Sequence, residues 1–171
     1  RTSVEVMSSD FGLKEAAATG DANTIESVLH NHSARVGADI ALLVDLDGAL
    51  IASSGGGHAF PPHVVSQDET TAVLDGKAYH VFVVPLKAPV TIARIVLGFH
   101  IDRALTEKIA GLTGLRASII SSPRDDAEVM VSSSAELRSG THVSAVYADE
   151  EFLTMPVEFI AGRAGIVVVL Q

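Results

Sequence analysis

The chain contains no cysteine. Disulfides, iron–sulfur clusters and thiol catalysis are therefore excluded, and the absence is compatible with a periplasmic location without requiring one. Positive charge is also scarce: 12 lysines and arginines stand against 21 aspartates and glutamates, a formal net charge of −9. With no basic run, the chain offers no electrostatic footprint for nucleic acid or for anionic lipid. No stretch reaches the roughly 18–20 apolar residues that span a bilayer. The longest candidates, such as Ile166 to Leu170, have the length of a strand. A signal peptide is missing, and the first residue is Arg1 rather than Met. This reads as an excised fragment, with any membrane helices outside it. What remains is 171 residues, 47% hydrophobic and 19% charged. That is enough apolar material for a core, in one domain or in two small modules that share one.

The first 37 residues read as helical. Val4 to Ala18 contains no proline and ends alanine-rich, and Thr19-Gly20-Asp21 interrupts it. Asp21 is an N-cap for a second segment, Ala22 to Val36, which carries Ile25, Val28, Leu29 and Val36 on one stripe and ends before Gly37. The period then becomes strand-like. Ile40–Val44 and Leu50–Ala52 flank the turn Asp45-Leu46-Asp47-Gly48, a hairpin pattern. Ser53 to Asp68 is a long loop rich in Gly, Pro, Ser and His, with room for one helical turn near Pro62–Ser66. Strands are expected at Thr70–Leu74, Ala78–Leu86 and Thr91–Ile101. Asp102 caps a helix to Thr113, with Gly114 after it. Further strands are expected at Leu115–Ser121, Val129–Ser132, His142–Tyr147, Glu151–Phe159 and Gly165–Leu170, the last two joined by a turn at Ala161-Gly162-Arg163. Helix, strands, helix, strands suggests two related modules, although no residue-level repeat links them.

Several strings sit within this order. They are Asp10-Phe11-Gly12-Leu13-Lys14-Glu15-Ala16 with Ala18-Thr19-Gly20-Asp21, then Arg35-Val36-Gly37-Ala38-Asp39, and Leu43-Val44-Asp45-Leu46-Asp47-Gly48. Val83-Val84-Pro85-Leu86-Lys87-Ala88-Pro89, Leu97-Gly98-Phe99 with Ile101-Asp102, and Leu112-Thr113-Gly114-Leu115 follow. Over residues 10 to 115 the chain resembles the double Cache sensor family, particularly the group found in front of diguanylate cyclase and phosphodiesterase domains. The strings are turns, caps and strand edges, so they speak to fold more than to chemistry. The resemblance implies an α+β fold, with a long N-terminal helix packed on two PAS-like antiparallel β modules. It also implies a periplasmic or extracellular domain held between two membrane helices. A small-molecule stimulus would pass through those helices to a cytoplasmic output, here cyclic-di-GMP turnover. The expected division is a helical segment at 1–37, a first module at 38–101, a connecting helix at 102–114 and a smaller module at 115–171. A homodimer through the N-terminal helix is expected as well.

Residues that could carry chemistry read more simply as structure. His30 and His32 point about 200° apart on a helix and cannot chelate one metal. His58 and His63 lie in the glycine–proline loop without identifiable acidic partners, so no metal site is expected. Asp45 and Asp47 are turn residues, because Asp bonds its own backbone and Gly48 accepts positive φ. Gly55 to Gly57 lacks the Lys-Ser/Thr of a phosphate loop, and no serine sits in a Gly-x-Ser-x-Gly elbow. No catalytic residue and no cofactor is expected.

The two long strands are more informative. Alternation in an antiparallel hairpin puts His80, Phe82, Val84, Ile95, Leu97 and Phe99 on one apolar face, which would pack on the N-terminal helix. The other face carries Tyr79, Val81, Val83, Arg94, Val96 and Gly98. A phenol, a guanidinium and a glycine gap are the usual furniture of a small-ligand site. Tyr79, Arg94 and Gly98 are therefore the candidate ligand-binding residues, under the loop from Ser54 to Asp68. Two rival readings are a dimerisation or structural module without a ligand of its own, and a small periplasmic enzyme.

Overall fold

Two helices lead the chain in the computed structural model, which describes residues 11–55, 57, 59–121, 129–135, 138–140, 157–159 and 166–170. Helix α1 spans Phe11–Thr19 and α2 spans Ala22–Val36. The break between them is local chemistry. Thr19 Oγ1 turns back to donate to the Ala16 carbonyl at 2.7 Å, and Gly20 takes φ 68°. Asp21, in extended backbone, then caps α2 by accepting from the Asn23 N–H. Its carboxylate also accepts from the Thr24 hydroxyl, and these hydrogen bonds, led by that of Thr24, hold its pKa below the usual aspartate value. Gly37 ends α2 in the left-handed region at φ 72° and donates to the Ser33 carbonyl. Ile25, Leu29 and Ser33, four apart, form the buried stripe of α2. The part of the expected first helix before Phe11 lies outside the described residues.

The strands form two antiparallel sheets. The larger contains β1 (Ile40–Val44), β2 (Leu50–Ser53), β3 (Glu69–Leu74), β4 (Lys77–Lys87) and β5 (Thr91–His100), in the order β2-β1-β5-β4-β3. A one-turn helix α3 (Pro62–Val65) lies in the loop between β2 and β3, and α4 (Arg103–Thr113) follows β5. The smaller sheet contains β6 (Ala117–Ser121), β7 (Val129–Ser132), β8 (Val157–Phe159) and β9 (Ile166–Leu170), in the order β7-β6-β9-β8. The fold is α+β, as the resemblance implied. The expected strand at His142–Tyr147, the start of that at Glu151 and the turn at Ala161-Gly162-Arg163 lie outside the described residues.

Two compact units emerge: Arg1–Thr70 with His80–Phe99, and Thr71–Tyr79 with His100–Gln171. In the first, β1 pairs with β5 from Ile40↔Gly98 to Val44↔Arg94. Leu13, Ala16, Ile25 and Leu29 of the helices pack with Ala41, Leu43, Ala52, Leu86, Ala93, Ile95 and Leu97, with Phe82, Val84 and Phe99 at the margin. This is the apolar face that the alternation of β4 and β5 predicts. The turn between β1 and β2 is built by Asp45, whose Oδ1 accepts from the Asp47 and Ala49 N–H groups at 2.9 and 2.8 Å, with Gly48 at φ 88°.

In the second unit, α4 packs on β6 and β7. Asp102 caps it by accepting from the Leu105 N–H at 2.8 Å, and Gly114 ends it at φ 72°. This unit takes residues Thr71–Tyr79 from within the expected first module, and α4 belongs to it rather than forming a separate connector. The reason is packing: Ala78 and Val73 form a cluster with Ile101, Ile119, Met130 and Val131. Buried Ile120 and Val129 extend the apolar content of β6 and β7.

Candidate functional site

The face of the first unit opposite α1 and α2 carries Ile40, Leu42 and Val44 of β1, Val81 and Val83 of β4, and Val96 of β5, all buried. Among the described residues, the one-turn α3 is the regular element on it. The cover is the β2–β3 loop, which buries Phe60, Val64 and Val65. Phe60 stands over Gly98 closely enough that a Cβ there would lie 3.2 Å from its Cζ and 3.3 Å from the Ile40 Cβ. Val65 stands over Gly48 in the same way, with its Cγ2 at 3.2 Å from a Cβ built there. The gap at Gly98 is thus filled by an aromatic ring of the chain itself.

Arg94 and Gly98 share this face of β5, but four residues of strand separate them by roughly 13 Å. Arg94 is half-buried beside the β1–β2 turn, and its Nη1 donates to the Leu46 carbonyl at 2.8 Å. Tyr79, the third candidate, belongs to the second unit, where it is buried with its ring 5.4 Å from that of His100. The structure therefore brings Arg94 and Gly98 onto one surface and places Tyr79 in the other unit.

The histidines follow structural roles. The His80 ring lies 4.3 Å from that of Phe82, tilted by 45°, and its Nε2 lies 3.0 Å from Glu69 Oε1. His30 and His63 are exposed. Among the described residues no group of three or more His, Cys, Asp or Glu side chains could hold a metal ion. His58 lies outside them.

The second unit holds two adjoining clefts that sequence reasoning missed. One, of about 460 Å³, lies between the start of α4 and the β7 end, and is lined by Arg103, Met130, Ser132, Ser134 and Arg138 among others. The other, of about 270 Å³, shares Arg103, Met130, Val131 and Ser139 with it and adds Lys77, His100 and Asp102. Beneath the larger cleft lies a hydroxyl cluster. Ser118 Oγ and Ser132 Oγ are 2.7 Å apart and both buried, and Ser132 Oγ accepts from the Ser134 N–H at 2.9 Å. The one sequence signal for it was the run Ser132-Ser133-Ser134 at a strand end, where three hydroxyls in succession exceed what a turn needs.

Comparison with known proteins bears on the whole chain. The family described as the double sensory domain of two-component sensor kinases matches residues 1–151. The periplasmic domain of LuxQ from Vibrio cholerae is similar in structure, with a TM-score of 0.61 at 10% identity over 99% of this chain and 89% of that one. The sensor domain of the histidine kinase DctB from V. cholerae gives a TM-score of 0.51 at 16% identity, over 78% of this chain and 58% of that one. At these identities the two structures speak to the fold. No curated protein matches the sequence. A chain matched over residues 1–151 of 171, with a helical start and two antiparallel sheets, belongs to the double sensory, or double Cache, domain family, whose members are extracytoplasmic sensor domains of membrane proteins.

Proposed function

We propose that this domain senses a small molecule through its first unit and passes the signal through flanking membrane helices to a cytoplasmic output, without catalysis of its own. The observation that carries this reading is the cover of the inner sheet face. The β2–β3 loop, with the one-turn α3 within it, closes it, and loops open at lower cost than core elements do. Opening of Phe60 would uncover a face that is apolar except for Arg94 at one end. Arg94 would then pair with an anionic group of the ligand. The N-terminal helical segment is the dimer contact in this reading, since the faces of α1 and α2 away from the core are exposed. The signal can shift output only by the difference in ligand affinity between two arrangements, typically about 1–3 kcal/mol.

Two outputs fit. The local strings resemble domains in front of cyclic-di-GMP enzymes, and the matching family is named for sensor kinases. In the intact membrane protein, a ligand-dependent change in cyclic-di-GMP supports the first, and ligand-dependent histidine phosphorylation moves the output to the second. The ligand itself is sought by a thermal-shift screen of this chain against amino acids and organic acids. A specific ligand at a hundred times its Kd stabilises the native state by about 2.7 kcal/mol. Arg94→Ala should abolish binding of an acidic ligand. It should cost the unliganded protein no more than about 1 kcal/mol, the worth of one half-exposed hydrogen bond. Binding that survives the substitution removes Arg94 from the site, and a screen without any stabilising compound favours a dimerisation module.

A further inference from the structure

We infer that the stimulus taken by the first unit is an amphiphile with one anionic group and a flexible apolar chain, in the class of a medium-chain fatty acid. The inference rests on the sensing role proposed for that unit and names the chemistry of its ligand. On the face opposite the helices, Arg94 and Gly98 stand at the two ends of a strip roughly 13 Å long. Between and beside them lie Val96 of β5, Leu42 and Val44 of β1, and Val81 and Val83 of β4, all buried. Among the described residues, these three strands present no carboxylate, amide or hydroxyl on this face between Arg94 and Gly98. Glu69 of β3 is engaged with His80, which lies on the helix face. An ammonium, a sugar hydroxyl or a second carboxylate buried on the strip would go unpaired, a cost that a methylene chain does not incur.

The chain's own loop shows what the strip accepts. It covers the face with Phe60, Val64 and Val65, all buried, and sets the Phe60 ring where a side chain at Gly98 would stand. A group that displaces this ring must restore the apolar contact it gives up, and an alkyl end does so where a polar one does not. The charge lies at the other end. Arg94 donates through Nη1 to the Leu46 carbonyl, a neutral acceptor, and among the described residues this is its one partner. Of the carboxylates in the adjoining turn, Asp45 accepts from the Asp47 and Ala49 N–H groups, and Asp47 is exposed. The guanidinium therefore keeps further N–H groups for one carboxylate. Leu46, Leu50 and Ile92 are exposed at this end of the sheet, so the chain beside the headgroup enters over apolar side chains. With C–C bonds of about 1.5 Å, a chain of about eight to ten carbons spans the strip.

The test titrates the 171-residue chain calorimetrically, below micelle-forming concentrations, with hexanoate, octanoate, decanoate, tetradecanoate, decan-1-ol and succinate in turn. Decanoate should bind saturably. Affinity should rise about fourfold for each methylene up to decanoate, and level off before tetradecanoate, where the chain outruns the strip. Arg94→Gln should weaken decanoate by about tenfold or more, as loss of a charge-assisted hydrogen bond does, and leave decan-1-ol unchanged. Amide resonances of Phe60, Val96 and Gly98 in the unmodified protein should shift on titration with decanoate, which keeps the test independent of whether the variant folds. An affinity that still climbs at tetradecanoate, or decanoate binding that Arg94→Gln retains in full, is partition onto the exposed leucines and overturns the inference. Succinate binding that is lost in Arg94→Gln, with none of decanoate, overturns the ligand class and sustains the sensing role of the first unit. No saturable binding of any probe overturns the ligand class as well, and the sensing role is then decided by the wider screen.

Discussion

Gly98 offers a sharp test of how the first unit closes. A Cβ added there would meet Phe60 Cζ at 3.2 Å, Ile40 Cβ at 3.3 Å and Phe60 Cε2 at 3.4 Å. Ordinary carbon contact begins near 3.4 Å, so Gly98→Ala forces either the ring or the neighbouring strand to give by a few tenths of an ångström. The ring is only 4% exposed and Ile40 is pinned by its pairing with Gly98, so neither yields freely. Overpacking of this kind costs about 1–3 kcal/mol. The gain from a stiffer unfolded chain returns about 0.4–1 kcal/mol. The net expectation is a loss of about 1 kcal/mol, or about 2–4 °C in Tm for a chain of this size. Far-UV circular dichroism in urea is the assay, since the chain has no tryptophan, and the midpoint should fall with an unchanged slope. Phe60→Ala alone should cost about 3–5 kcal/mol. In that background Gly98→Ala should cost less, because the methyl then meets only the Ile40 Cβ. A Gly98→Ala protein as stable as the parent would show that the loop does not seat its ring on the sheet. An equal cost in both backgrounds would place the clash at Ile40 and remove Phe60 from the explanation.

Other consequences follow from the caps and from one titrating group. Gly37→Ala meets no atom within 4 Å, so its cost is the left-handed backbone alone, about 1 kcal/mol by urea unfolding. Asp102→Ala removes the cap of α4 and should cost about 1 kcal/mol, with faster hydrogen exchange at the Leu105 amide. Asp21 has a folded pKa below its unfolded value, so its carboxylate stabilises the protein above the unfolded value. That margin disappears as pH falls through the folded value, below the ordinary aspartate pKa of about 3.9. Wild type should therefore exceed Asp21→Asn in stability at neutral pH and converge with it in acid. Parallel curves over the whole acid range would mean that the hydrogen bonds from Thr24 and Asn23 do not distinguish the charged form.

The elements legible in the sequence are those whose causes are local. Asp21 and Gly37 bound α2 at the residues expected, because an N-cap and a left-handed C-cap act within four residues of themselves. Asp45 to Gly48 turns as expected for the same reason. The two faces of β4 and β5 were legible because alternation has a period of two and needs no knowledge of the partner. The division into units was not. Residues Thr71–Tyr79 join the second unit through Val73 and Ala78, whose neighbours Ile119, Met130 and Val131 come from strands some forty to fifty-eight positions later. No local pattern encodes contacts at that separation.

The same limit explains why the candidate ligand residues separate in space. Alternation assigns a side chain to a face but says nothing of where along the strand it meets a partner. Arg94 and Gly98 share a face, yet each is engaged by a residue far away in sequence. The Arg94 guanidinium reaches the carbonyl of Leu46, 48 positions earlier, and the space over Gly98 receives the ring of Phe60. A charge and a gap that look like vacancies on one strand are answered by the chain's own loop. The clefts of the second unit show the converse. Lys77, Arg103 and Arg138 are unremarkable one by one, each in a different segment. Arg103 lines two adjoining clefts, one shared with Lys77 and the other with Arg138, because the β3–β4 turn, the start of α4 and the segment after β7 belong to one unit. A cavity assembled from short segments far apart in sequence has no local signature, because it exists only once the chain has folded.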